Sequence, residues 1–195
     1  MEDTSASPAV PDSLAINDLL QAIELLALDF DGVLTDNRVL VDQDGHEAVW
    51  CHRGDGWGIA RLLEAGVSVV VISTETNPVV AARCRKLGIP VVQGCGDKQA
   101  ALQSMADARH LGPEHVAYVG NDVNDLACLR WAAVPIAVAD AVPGVRAIAR
   151  LITATPGGYG AVREVADWIL AARQNRTSAQ SDGSPDPADV GLGPA

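Results

Sequence analysis

Aromatic residues are scarce in this chain: 195 residues contain four Trp, two Tyr and one Phe. The core must therefore be built from Val, Leu, Ile and Ala, a composition that suits a buried parallel sheet under Ala-rich helices. Lysine is rarer still, with Lys86 and Lys98 alone. Fourteen basic residues face 25 acidic ones, a net charge of -11. An excess of that sign repels nucleic-acid phosphates and anionic membrane surfaces, so neither a nucleic acid nor a membrane is expected as partner. Cysteine is present only as Cys51, Cys84, Cys95 and Cys128, with no C-x-x-C pair, which favours reduced thiols. The most apolar run, around residues 67–72, is far short of the roughly 18 residues of a membrane span. Residues 1–13 are acidic with Pro8 and Pro11, unlike a signal peptide. The expectation is a soluble, cytoplasmic protein whose 20.3 kDa allow one domain with a sizeable core.

What is there alternates regularly. Short apolar runs at 25–28, 67–72, 90–92, 116–119 and 134–138 are each followed by a stretch that can be helical. This pattern predicts right-handed crossovers and an α/β fold, a Rossmann-like parallel sheet with helices on both faces. One helix over 81–87 stops at Gly88, the next takes Asp97 as N-cap, and others cover 125–132 and 160–172. Residues 38–50 interrupt the alternation and read as a β-hairpin inserted after the first strand, with its turn at 42–45. A projecting hairpin leaves backbone groups unpaired, so it is expected to pack against another subunit. Residues 1–13 and 174–195, rich in Ser, Pro, Asp, Gly and Ala, are expected as disordered tails flanking a domain over 14–173.

Chemistry-bearing residues fall at the ends of the predicted strands. The first strand delivers Asp29, Phe30, Asp31 and Gly32 to the carboxyl edge, where parallel sheets bind ligands. Two carboxylates so close repel each other unless a cation or a shared proton relieves them, and Mg²⁺ is a suitable oxygen-seeking cation. Taken alone, the pair serves equally well as turn formers and helix caps. The second strand ends in Ser73 and Thr74, hydroxyls able to donate to a phosphate. The third leads to Lys98 at a helix start, against the dipole unless an anion sits there. The fourth ends in Gly120, Asn121, Asp122, Val123, Asn124 and Asp125, a run rich in oxygen donors. Each of these has an ordinary alternative: Ser73 as a cap, Lys98 as a surface charge, residues 121–125 as a capping turn. Their arrival in order at four strand ends favours one phosphate site.

With these four motifs the sequence resembles the haloacid dehalogenase superfamily of phosphatases. The hairpin, Arg53 to Ile59 and Gly157 to Glu164 further resemble its small branch without a cap domain, which acts on 3-deoxy-octulosonate 8-phosphate and nonulosonate 9-phosphates. The same branch forms the C-terminal domain of some acylneuraminate cytidylyltransferases. The resemblance implies Asp29 as nucleophile, Asp31 as general acid and base, and Ser73 with Lys98 as holders of phosphoryl oxygens. It implies Mg²⁺ held by Asp29, Asp31 and Asn121, with Asp122 or Asp125 as second choice. It implies Arg53, Asp55 and Glu75 on the substrate, and a homotetramer whose subunits close each other's sites.

Two positions depart from that branch. Asn121 stands where Asp is usual, which lowers the charge offered to the metal. Ser73, Thr74 and Glu75 replace a Thr-Gly-Arg run of the octulosonate enzymes; Glu75 cannot pair with a substrate carboxylate but can accept from sugar hydroxyls. The sequence therefore points to a nine-carbon keto-acid phosphate, with the eight-carbon ester as the alternative. A non-catalytic oligomerisation domain partnering a cytidylyltransferase is a further alternative, for which Asn121 is the only argument; a phosphotransferase is another. The segment from Gly157 to Glu164 reads either as a mobile reach towards an active site or as a loop capping the last helix. None of His46, His52, His110 and His115 has a nucleophile-elbow partner.

Overall fold

The computed structural model describes residues 13–181, and side chains over 16–174. Of the tails expected over 1–13 and 174–195, residues 1–12 and 182–195 lie outside the described residues.

Six strands form one parallel sheet. They are β1 (Leu25–Leu28), β4 (Ser68–Ile72), β5 (Val91–Val92), β6 (Val116–Gly120), β7 (Val134–Ala137) and β8 (Leu151–Ile152), in the order β5-β4-β1-β6-β7-β8. Every residue of β1 and β6 is buried, as a central strand covered on both faces must be, and Val, Leu, Ala, Tyr118 and Gly120 fill these positions. Leu25 aligns with Ser68 on one side and Val116 on the other. The chain leaves β1 towards β4 and β5, then returns to the opposite side of β1 as β6. That reversal opens a crevice at the carboxyl ends of β1 and β6.

The helices are α1 (Ser13–Ala22), α2 (Arg53–Glu64), α3 (Val79–Leu87), α4 (Lys98–Asp107), α5 (Leu126–Trp131), α6 (Pro143–Arg146) and α7 (Ala161–Ser181). α7 packs against α1 and α2, while α4 packs against α5. α3 stops where expected: Gly88 takes a left-handed φ of 70° and closes the last turn. Asp97 caps α4, its side chain accepting from Ala100 N at 3.0 Å. No described helix is long and apolar enough to cross a membrane.

The hairpin after β1 is present as β2 (Thr35–Val41) and β3 (Glu47–Cys51), antiparallel with Val39 opposite Val49. It carries exposed Val39, Leu40, Val41 and Trp50, the last 73% exposed. The other described segments belong to the sheet, its helices and the loops that join them, so no cap domain covers the crevice among the described residues. Two boundaries differ from expectation. α1 starts at Ser13, inside the stretch expected as tail, and α7 continues to Ser181, past the expected stop near Ala172.

Candidate active site

The turn after β1 is tied down at both ends. Asp29 N continues the sheet by donating to Val119 O at 3.0 Å, and Phe30, fully buried, anchors the next position. Phe30 N donates to Asp29 Oδ1 at 2.7 Å, fixing that carboxylate. Val33, Leu34 and Thr35 all return their N–H groups to Phe30 O. Thr35 Oγ1 accepts from Gly32 N at 3.2 Å and donates to Asp31 Oδ1 at 3.4 Å. Gly32 has φ 79°, and a Cβ there would collide with the Asn121 side-chain amide. Only glycine fits a left-handed turn pressed so closely against the end of β6.

Behind the turn lies a buried charge cluster. Lys98 Nζ stands 2.7 Å from Asp29 Oδ1 and 2.9 Å from Asp125 Oδ1. Asp125 Oδ1 also accepts from Tyr118 Oη at 2.8 Å, while its Oδ2 accepts from Asn121 N at 2.9 Å and Asp122 N at 3.3 Å. Burial, reinforced by the Asp125 charge, pushes Asp29 up to about 7 against the pull of Lys98. Burial works against the Lys98 ammonium, but Asp29 and Asp125 outweigh it and raise its pKa. Burial, then the Asp125 and Asp29 charges, hold the Tyr118 phenol well above its ordinary value. Asp31, half-buried, is raised by burial and then by Glu75.

A cavity of about 230 Å³ opens over these groups, lined by Asp29, Asp31, Asn37, Ser73, Thr74, Asn121, Asp122, Val123 and Asn124. Its walls are oxygen-rich, and Asn121 Oδ1 is buried with no hydrogen-bond partner among the described residues. A buried carbonyl oxygen left unpaired beside two carboxylates suits a hard cation. The residues present thus fit a divalent ion of the Mg²⁺ type. Nearby, Ser73 is buried at the end of β4, and its Oγ accepts from Glu75 N at 3.1 Å.

Not every residue expected here arrives. Asp125 is an internal anchor, since both its oxygens are occupied by four donors; it is not free to serve as second-choice metal ligand. Asp122 lines the cavity, with Oδ1 accepting from Val123 N at 2.6 Å. Glu75 lines an adjoining groove together with Asp31, Asn37 and Arg38, and its Oε1 accepts from Thr76 N and Asn77 N. Arg53 lies elsewhere, in a cavity of about 460 Å³ with Arg83 and Lys86. Asp55 is fully buried and accepts from Arg163 N at 2.9 Å, so it cannot touch substrate within this chain. The Gly157 to Glu164 segment is packed against its own chain: Gly158 N donates to Val33 O at 3.0 Å. Sequence reasoning did not anticipate Asn37 or Tyr118. Asn37 gives one signal, a polar residue after the motif able to adopt its φ of 60°; Tyr118 read simply as strand.

An α/β sheet with paired aspartates on the turn after its central strand, and a buried lysine against the first of them, defines a phosphate-processing α/β enzyme without a cap. The family matching residues 82–164 is described as haloacid dehalogenase-like hydrolase. The 3-deoxy-D-manno-octulosonate 8-phosphate phosphatase KdsC of Escherichia coli K12 is 38% identical over 152 residues, 77% of this chain and 81% of that protein. A protein of Streptomyces avermitilis MA-4680 assigned to the HAD family of hydrolases shares 53% identity at a TM-score of 0.76, covering 77% of this chain and 87% of that one. The 3-deoxy-D-manno-octulosonate 8-phosphate phosphatase of Moraxella catarrhalis, solved with magnesium, phosphate and KDO, shares 32% identity at a TM-score of 0.81, covering 89% and 100%. The chain belongs to the haloacid dehalogenase-like hydrolases, in their capless KdsC-type branch, and is a phosphoric monoester hydrolase.

Proposed function

We propose that this protein is a cytoplasmic, Mg²⁺-dependent phosphatase that removes the terminal phosphate of a 3-deoxy-2-keto sugar acid, with 3-deoxy-D-manno-octulosonate 8-phosphate as substrate. The observation that carries the substrate is the 38% identity, over 77% of the chain, to enzymes named for that ester. It moves the reading from the nine-carbon acid that Glu75 suggested to the eight-carbon alternative.

Asp29 attacks phosphorus and forms an aspartyl-phosphate as the sugar oxygen departs. Asp31 donates a proton to that oxygen and, once deprotonated, takes one from the water that hydrolyses the intermediate. A raised pKa suits the first of these tasks. Ser73 and Lys98 hold phosphoryl oxygens, and the Lys98 contact to Asp29 fixes the geometry of attack. The Asp29 carboxylate, the Asp31 carbonyl and Asn121 Oδ1 would hold Mg²⁺, with Asp122 next. When bound, the metal neutralises charge on the transferring group.

The substrate carboxylate needs a cation, and the cavity over Asp29 is lined by no lysine or arginine among the described residues, Lys98 lying buried with its ammonium on Asp29 and Asp125. Arg53, Arg83 and Lys86 share the second cavity and form no ion pair among the described residues. In a homotetramer assembled through the exposed hairpin, a neighbouring subunit's surface of this kind receives the carboxylate. Sedimentation as a monomer would remove that part of the proposal.

Phosphate release from the octulosonate and nonulosonate esters, compared side by side with Mg²⁺ and with chelator, tests the reading. The expected result is a higher kcat/KM for the eight-carbon ester and no release without metal. A clear preference for the nine-carbon ester overturns the substrate and restores Glu75 as its determinant.

A further inference from the structure

We infer that Asp55 is a positioning residue for the turn carrying Asp31, acting through the start of α7 and the Gly157–Gly158 backbone. The catalytic part of this inference rests on the function proposed above; its structural part does not.

Asp55 sits in the first turn of α2, fully buried, with Oδ1 accepting from Arg163 N and Oδ2 without a partner among the described residues. A buried carboxyl is costly, and burial raises its pKa. Its contact explains where it is used. The first N–H groups of a helix have no partner within that helix, and Arg163 N belongs to the first turn of α7. Asp55 therefore caps α7 from another helix.

Two more carboxylates hold the chain just before α7. Asp140 Oδ1 accepts from Gly157 N at 2.9 Å, and Glu164 accepts from Ala154 N at 2.8 Å and Thr155 N at 3.0 Å. The segment so pinned lies flush against the catalytic turn. A Cβ on Gly157 would collide with Gly32 O, and one on Gly158 with the backbone of Thr35 and Asp36. Gly32 is thus enclosed, by the Asn121 amide on one side and the Gly157 backbone on the other. This backing adds to the hydrogen bonds within the turn, and with it removed the turn carrying Asp31 is held by those bonds and the Asn121 contact alone.

A merely structural Asp55 predicts a uniform loss of stability; a positioning Asp55 predicts a local one. Hydrogen exchange on the full chain separates them. In Asp55→Ala, amides in residues 30–36 and 153–163 should exchange about tenfold faster or more, with β4 and β5 unchanged. In Asp55→Asn, the retained Oδ1 still accepts from Arg163 N, and exchange should match the unmodified protein. With the octulosonate ester, Asp55→Ala should lose kcat by on the order of 100-fold with KM nearly constant, and Asp55→Asn should recover it. Unchanged exchange over 30–36 in Asp55→Ala, a uniform loss of protection, or an Asp55→Asn variant as impaired as the alanine overturns the inference. If Asp55→Ala does not fold, Asp140→Ala, which frees the same segment from an exposed position, carries the same expectations and the same refutations. An unmodified protein that releases no phosphate refutes the proposed function, and the exchange data still decide the role of Asp55.

Discussion

Lys98 Nζ and Asp29 Oδ1 form a buried ion pair of 2.7 Å, so the residue proposed to hold the phosphate also holds the proposed nucleophile. The pair is shared with Asp125, which turns a two-residue contact into a triad of one cation and two carboxylates.

Replacing Lys98 with Met should therefore cost stability as well as activity. It leaves two carboxylates buried without a cation, a loss of about 3–5 kcal/mol for a broken buried pair. Denaturant unfolding of Lys98→Met at neutral pH measures it. The Asp29→Asn, Lys98→Met double variant should recover part of the loss, because one of the stranded charges is gone.

The raised Asp29 pKa makes metal-free stability depend on pH. The folded protein keeps a proton on Asp29 that the unfolded chain releases near 3.8, up to about 7. That contribution is complete below 3.8 and is lost as pH rises through 7. Thermal melting in chelator should show the decline, and Mg²⁺ should offset it increasingly towards higher pH. Asp29→Asn should lack this dependence, retain the fold and release no phosphate.

As a proposed metal ligand, Asn121 would offer a neutral oxygen. Asn121→Asp adds a charge to the same position, and the Mg²⁺ concentration for half-maximal activity should fall by on the order of tenfold. A titration of activity against Mg²⁺ reads this directly; an unchanged midpoint would remove Asn121 from the ligand set.

Glu75 contributes to the raised pKa of Asp31, second to burial. Glu75→Gln should lower that pKa, so the proposed general acid deprotonates earlier and the alkaline limb of the kcat/KM profile moves to lower pH. A limb that stays in place assigns the proton to another group.

Much of this was legible in the sequence because apolar strands end where polar chemistry starts. Residues 25–28 match β1 without adjustment, and Asp97 and Gly88 punctuate their helices as expected. The hairpin was legible from its turn. α1 was not read, because its amphipathic run adjoins an acidic, Pro-bearing stretch that hid where order begins. β8, only two residues long, gives no periodic signal. Asp55 was expected on the substrate through the family resemblance; its burial gives no local signal, because its partner Arg163 lies 108 positions away. Asp125 was misread similarly, since its spacing suits a ligand and only packing shows four donors consuming it.

The contact between Gly157 and Gly32 also sets an order of events during synthesis. The aspartates of the first turn are made early, yet their backing is made more than a hundred positions later. A chain emerging N-terminus first carries its chemical groups long before it can hold them in place. On the function proposed above, competence for catalysis arrives with the last helix, and a nascent or prematurely ended chain displays all four motifs before their turn is backed.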